Sequence, residues 1–338
     1  MRLIRPTGLV ATAASLVLAL AGCAATPAEG EPTAEESGQG TVSFTFDRNV
    51  AGEDEDPTYE STTVDVPTNP DNIVVFDMAS LDTIGALGGE VDGAPLDSVP
   101  DYLSDTLADD AYNAGTLFEA DLVEIEAHQP DLIIIGGRSA ALYDDLSAIA
   151  PTVDLSITGS FLDTLERNTT LLGEVLGAQD QAATALTEVK AGIDEAKALT
   201  ADAGTGLGVM VSGGKLSAMA PTNGNATGRN ARGGIIYDVF GVTPVINDIE
   251  AATHGEPISF EFLLEHDPDY LYVVDRDAAT GSDPNAKPAA EVLDNDIVKQ
   301  TKAFREGHIV YLDPVAWYIV FGGIETTTIM TDDVKQAA

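Results

Sequence analysis

Apolar positions along this 338-residue chain fall into three patterns. Short unbroken apolar runs read as strands covered on both faces: Ile73-Val74-Val75-Phe76, Leu132-Ile133-Ile134-Ile135, residues 207–212 and Ile309-Val310-Tyr311-Leu312. Apolar residues spaced by three and four read as helices over 161–176, 235–240, 259–265 and 326–337. The longest such stretch, 178–201, has strong helix formers, no proline, and apolar positions at Ala182, Leu186, Val189, Ile193 and Ala198. It predicts one helix of roughly 24 residues, on the order of 35 Å long. Strict alternation at 41–46 and 62–66, around an acidic turn containing glycine, predicts a hairpin. Residues 152–155 and Pro244-Val245 read as further strands, 278–288 as a lid or edge loop, and 316–321 as an aromatic-apolar segment.

One stretch repeats. Residues 253–276 read THGEPISFEFLLEHDPDYLYVVDR, and residues 121–138 read DLVEIEAHQPDLIIIGGR. A constant offset of 138 residues (266 − 128) brings His128 onto His266, Pro130 onto Pro268, Asp131 onto Asp269 and Arg138 onto Arg276. Asp121 and Ser259, both good helix N-caps, also coincide. Two copies of one helix–stop–strand–arginine unit predict two α/β lobes with largely parallel sheets facing one ligand. The long helix lies midway between the copies and reads as the connection. The expected organisation is therefore a first lobe over 41–176, a connecting helix over 177–202 and a second lobe over 203–338. Ligands on such sheets gather at the carboxyl ends of the strands, which places Asp77, Met78 and the Gly136-Gly137-Arg138 turn on one rim.

The amino terminus sets the address. Residues 1–23 carry Arg2 and Arg5, then an apolar run over 9–20 too short to span a bilayer, and end in Leu20-Ala21-Gly22-Cys23. This resembles a bacterial lipoprotein signal, with cleavage before Cys23 and lipid attachment to its sulfur, so the chain is expected at the extracytoplasmic face of the membrane. Cys23 is the only cysteine, which excludes disulfides, zinc–thiolate sites and cysteine nucleophiles from the mature domain. Residues 24–40, rich in Pro, Glu, Ala, Ser and Gly, read as a disordered tether. The formal net charge of −40 excludes nucleic acid as a partner.

The chain offers no Gly-x-Ser-x-Gly elbow, no phosphate loop (Gly224-Asn225-Ala226-Thr227-Gly228 lacks the lysine) and no zinc spacing. A secreted hydrolase would need a nucleophile–base pair, and none is evident. Of the four histidines, His128 and His266 sit at the helix-end position of the repeat and His308 just precedes a strand, which are structural placements. His254 differs, lying in a loop beside Gly255 on the cleft side. Arginine is scarce here, and Arg138 and Arg276 end equivalent strands, with Arg229 and Arg232 in a Gly-rich loop between them. Converging guanidinium groups would clamp a polyanion. The competing reading pairs each with a neighbouring acid, for example Arg276 with Asp275 or Asp277.

Several segments together, namely Asn69-Pro70 into IVVFDMASLDTIGALG, PDLIIIGGR, ARGGIIYDVFG, HGEPISFEFLLEHDPDYLYVVDR, AEVLDN and IVYLDPVAWY, resemble the iron(III)-siderophore-binding lipoproteins of ABC importers. The likeness covers roughly residues 60–335 and is nearest the branch that takes catecholates such as petrobactin. It implies a binding protein with no turnover and no intrinsic cofactor, acting as a monomer that delivers a ferric siderophore to an ABC permease and its ATPase. It further implies that Arg138, Arg232 and Arg276 surround the anionic complex, that His254 and Tyr318 ligate its iron, and that Trp317 and Met78 pack on catechol rings. The family's Arg-Phe-Gly is here Arg232-Gly233-Gly234, which leaves Arg229 as a rival. Of the two glutamates that the family offers to its permease, Glu261 is present, whereas Val123 stands at the other place with Glu124 beside it. A haem or cobalamin receptor of the same fold is the alternative.

Overall fold

The apolar runs form strands whose alternate residues feed two different cores. In the first lobe Ile73, Val75, Leu132 and Ile134 enter one cluster, while Val74, Phe76, Ile133 and Ile135 enter the other. A strand covered on both faces cannot alternate apolar with polar, which is why these runs are unbroken. The computed structural model describes residues 40–50, 58–222, 231–250, 254–281 and 283–337. Cys23 and the rest of the leader, the tether to residue 39, the hairpin turn 51–57, and Arg229 with the middle of the Gly-rich loop lie outside the described residues. Among the described residues, no helix is long and apolar enough to cross a membrane.

The first sheet joins β3 (Ile73–Val75), β4 (Val91–Ala94), β5 (Leu107–Asn113), β6 (Leu132–Ile135) and β7 (Thr152–Asp154) in the order β5-β4-β3-β6-β7, all pairs parallel. Before it comes the hairpin of β1 (Thr41–Asn49) and β2 (Tyr59–Pro67), in register from Thr41 opposite Pro67. Phe46 and Val66 of the hairpin enter the first lobe's core. The second sheet runs β11-β9-β8-β12-β13, from β8 (Thr205–Ser212), β9 (Lys215–Ala218), β11 (Glu256–Ile258), β12 (Tyr270–Asp275) and β13 (Ile309–Tyr311); β10 (Thr243–Pro244) adds to β8. Its centre is parallel and its β9 and β11 edge antiparallel.

Between the sheets runs one 22-residue helix, Gln179–Thr200. Ala182 near its start belongs to the first lobe's core, whereas Leu186, Val189, Ile193 and Ala196 belong to a cluster with Tyr270, Tyr272 and Val274 of the second sheet. A single rigid element therefore contributes to both cores. The last helix, Ile324–Ala337, packs against it and against Met78–Ala86 of the first lobe. Asp82, wholly buried in Met78–Ala86, accepts hydrogen bonds from Glu325 N at 2.9 Å, Thr326 N at 2.8 Å and Thr326 Oγ1 at 2.7 Å. A first-lobe carboxylate thus caps the orphan amides of the C-terminal helix.

The repeat holds to the atom. Asp121 caps Glu124 N at 3.1 Å and Ser259 caps Phe262 N at 3.3 Å. The helices Leu122–His128 and Phe260–His266 end on left-handed residues, Gln129 (φ 49°) and Asp267 (φ 42°). Asp131 then accepts the amides of Asp71 and Asn72 ahead of β3, and Asp269 accepts the amide and hydroxyl of Thr205 at the start of β8. Each Pro-Asp stop ties its own strand to the head of its parallel neighbour. His128 and His266 each place Nδ1 at their own helix's carbonyl, Glu124 O and Phe262 O.

Candidate functional site

Three guanidinium groups surround one phenol. Arg138 comes from the turn after β6, in Gly137–Leu142, and Arg276 begins the short helix Arg276–Thr280 after β12. Arg232 was expected in a loop but lies in the first turn of the helix Ala231–Asp238. All three stand over the ring of Tyr318, with guanidinium carbons 5.9, 5.4 and 4.5 Å from its centroid for Arg138, Arg276 and Arg232. Tyr318 itself sits in Val315–Val320, a π-helical turn between the lobes. Arg276 donates through Nε to the Tyr318 phenol oxygen at 2.7 Å and through Nη1 to Ser212 Oγ at 3.1 Å.

None of the three arginines forms an ion pair among the described residues. The acids that flank Arg276 are occupied elsewhere. Asp275 accepts from the amides of Ala278 and Ala289, and Asp277 from Ser212 Oγ and Gly213 N. The pairing alternative for Arg276 is therefore absent. Burial lowers the pKa of Arg138, and burial together with the Arg138 and Arg276 cations pushes Arg232 down to about 10. Arg232 Nε is buried with no hydrogen-bond partner among the described residues. Positive charge held out of water without a counter-ion is an anion site by its own energetics.

His254 completes the group. Its ring centroid lies 6.2 Å from that of Tyr318, at 25° between planes. Gly255 places it there: at φ +77° and with Ala218 O only 2.5 Å from where a Cβ would stand, no side chain fits, and the chain turns tightly into β11. Burial first, then Arg276, Arg232 and Arg138, holds the His254 pKa below the ordinary imidazole value. A neutral imidazole is the form that donates a lone pair to a metal.

Two expected ligand contacts are not at this site. Trp317 is 1% exposed, packs on Phe240 at 5.8 Å and donates Nε1 to Asp333 at 2.9 Å. Neighbours on a helix face different ways, so the turn that aims Tyr318 at the arginines aims Trp317 into the core. Met78 is 2% exposed because it opens a helix whose apolar face, with Leu81 and Ile84, is the first lobe's core. Ser212 was not foreseen; it lies at the carboxyl end of β8, and only the sheet's topology brings it to Arg276. A separate cavity of about 560 Å³ is lined by Glu90, Tyr102, Asp105 and Glu325, walls of the wrong sign for an anion.

Two α/β lobes, one shared helix and a cationic cluster between strand ends define a ligand-capturing binding protein. The chain belongs to the Periplasmic binding protein family, whose model matches residues 73–316. Over 330 residues, 96% of each chain, it is 34% identical to the petrobactin-binding protein YclQ of Bacillus subtilis. A crystal structure of a TroA-like periplasmic binding protein from Xylanimonas cellulosilytica is similar at 67% identity and TM-score 0.84, covering 88% of this chain and 99% of that one. The catecholate-siderophore-binding protein VctP of Vibrio cholerae is similar at 31% identity and TM-score 0.73, over 81% and 96%. The fold class and the family resemblance drawn from the sequence both hold.

Proposed function

We propose that this chain captures a ferric siderophore of catecholate type and delivers it to an ABC permease for iron uptake, held at the membrane surface by a lipid on Cys23. The observation that carries the reading is the set of three arginines around Tyr318 that form no ion pair among the described residues, with His254 stacked near the same ring. A ferric catecholate is an anion, and guanidinium groups complement it. Ferric iron is hard and prefers oxygen donors. Phenolate from Tyr318 and imidazole from His254 fill the two positions that a tetradentate bis-catecholate leaves open. A hexadentate ligand needs neither. The relatives' names point the same way, to petrobactin for YclQ and to catecholates for VctP. A haem or cobalamin receptor fits less well, since a flat macrocycle has little use for three converging cations.

The test is a fluorescence titration against a panel of ferric siderophores, haem and free Fe(III). Ferric catecholates should quench strongly and the other two should not; equal quenching by haem sinks the assignment. Trp317, buried beside Tyr318 in sequence, reports by energy transfer and not by stacking. Substituting His254→Ala should weaken tetradentate complexes more than hexadentate ones.

A further inference from the structure

Arg138 differs from its two partners in what it already holds. Its Nη1 donates to Ile319 O at 2.9 Å and its Nη2 to Tyr318 O at 2.7 Å. These are carbonyls of the last turn of Val315–Val320, which a helix end leaves without intrahelical partners. The chain then reverses through left-handed Phe321 (φ 51°), Gly322 (φ 128°) and Gly323 (φ 82°), so the turn cannot be completed by continuing the helix. A planar guanidinium supplies two parallel donors at this spacing, and an ammonium does not. Arg138 therefore reaches from the first lobe to grip the backbone of the residue whose side chain carries the phenol. Arg276 grips the phenol oxygen from the second lobe.

We propose that Arg138 is a positioning residue, whose fork sets the Tyr318 phenol where it completes the coordination of iron and so favours tetradentate over hexadentate ferric complexes. The inference rests on the ferric-catecholate reading of the site. It has a consequence opposite in sign to that of an anion clamp. A tris-catecholate complex carries more negative charge than a bis-catecholate one, so removal of a pure clamp harms the hexadentate complex more. Removal of a positioner for Tyr318 harms the tetradentate complex more, because only that complex uses the phenol.

The experiment titrates wild type, Arg138→Lys, Tyr318→Phe and the double variant with one ferric bis-catecholate and one ferric tris-catecholate, following fluorescence and the catecholate-to-iron absorption band. Circular dichroism and thermal melts check that each variant is folded. Arg138→Lys keeps the charge but cannot fork, so the tetradentate complex should lose about tenfold or more, the effect of a lost charge-assisted hydrogen bond, and severalfold more than the hexadentate one. The band shift that the tetradentate complex shows on wild type should revert toward the free complex. In the Tyr318→Phe background the lysine substitution should add almost nothing for the tetradentate complex. Equal losses for both ligands, a larger hexadentate loss, or additive losses in the double variant would overturn the inference. If wild type binds neither ferric catecholate, the reading of the site falls first, and this inference with it.

Discussion

Arg232 is a largely buried cation with few compensating contacts. Its Nε donates to nothing among the described residues, two other guanidinium groups flank it, and the nearest planar partners are the rings of Tyr318 and Phe321 at 4.5 and 5.5 Å. Cation–π contact recovers part of the lost hydration, on the order of 2 kcal/mol when desolvated. The remainder is strain that an anionic ligand relieves. Replacing Arg232 with methionine keeps the apolar stem and removes the charge. The unliganded protein should gain about 1–2 kcal/mol in urea denaturation, as for other uncompensated buried charges, while ferric-catecholate affinity falls tenfold or more. A variant that is both less stable and unimpaired in binding would mean that the guanidinium serves the fold. Stability and affinity moving in opposite directions is the mark of a residue kept for a ligand.

Among the elements, the joint between the lobes depends on Asp82. Burial raises its carboxyl pKa to about 7 from 3.8, against the lowering effect of the Thr326 and Glu325 hydrogen bonds. Between about pH 4 and 7 the unfolded chain has released this proton and the folded protein retains it, so stability declines as pH rises through that window and levels above it. For a shift of this size the decline is on the order of 4 kcal/mol. Asp77, Asp154 and Asp333, also raised by burial, add slopes of the same sign. Asp82→Asn should remove its share alone, seen as a shallower fall in urea-unfolding free energy between pH 4.5 and pH 8; an unchanged slope would mean that the hydrogen bonds outweigh burial. The repeat was legible beforehand because each of its parts is local: a cap, a left-handed stop, a Pro-Asp and an apolar run. Strands β4 (VDGA) and β5 (LADDAYN) were not legible: β4 is an interior strand of only four residues with an aspartate and a glycine, and β5 is an edge strand whose Asp109-Asp110 breaks any apolar run. Nor was the π-helical turn, whose partners Arg138 and Arg276 come from two strands distant in sequence, and with it went the orientation of Trp317. Arg138 and Arg276 could be singled out because scarcity and equivalent positions in the repeat marked them, whereas Arg232 lies outside the repeat and was marked by scarcity and the family resemblance.

At the scale of the whole molecule, the two lobes present unlike surfaces at equivalent helix starts. Each of these helices precedes the strand that ends at Arg138 or Arg276. Glu261 is exposed in the first turn of Phe260–His266, its carboxylate held below the usual range by backbone and Ser259 hydrogen bonds, and it stays charged across physiological pH. Its counterpart Val123 is 79% exposed, and Glu124 Oε1 lies 3.8 Å from His128 Nδ1. A permease that docks on these helix starts would thus meet a carboxylate on one lobe and an exposed valine on the other. Reversing the charge with Glu261→Arg should stop ferric-siderophore uptake by cells that depend on this protein, while solution affinity for the complex stays at the wild-type value. Glu124→Arg should leave most uptake intact, because Val123 and not Glu124 takes the equivalent place. Uptake that survives Glu261→Arg would remove this glutamate from the docking surface, and uptake lost in Glu124→Arg would restore the symmetric, two-carboxylate arrangement.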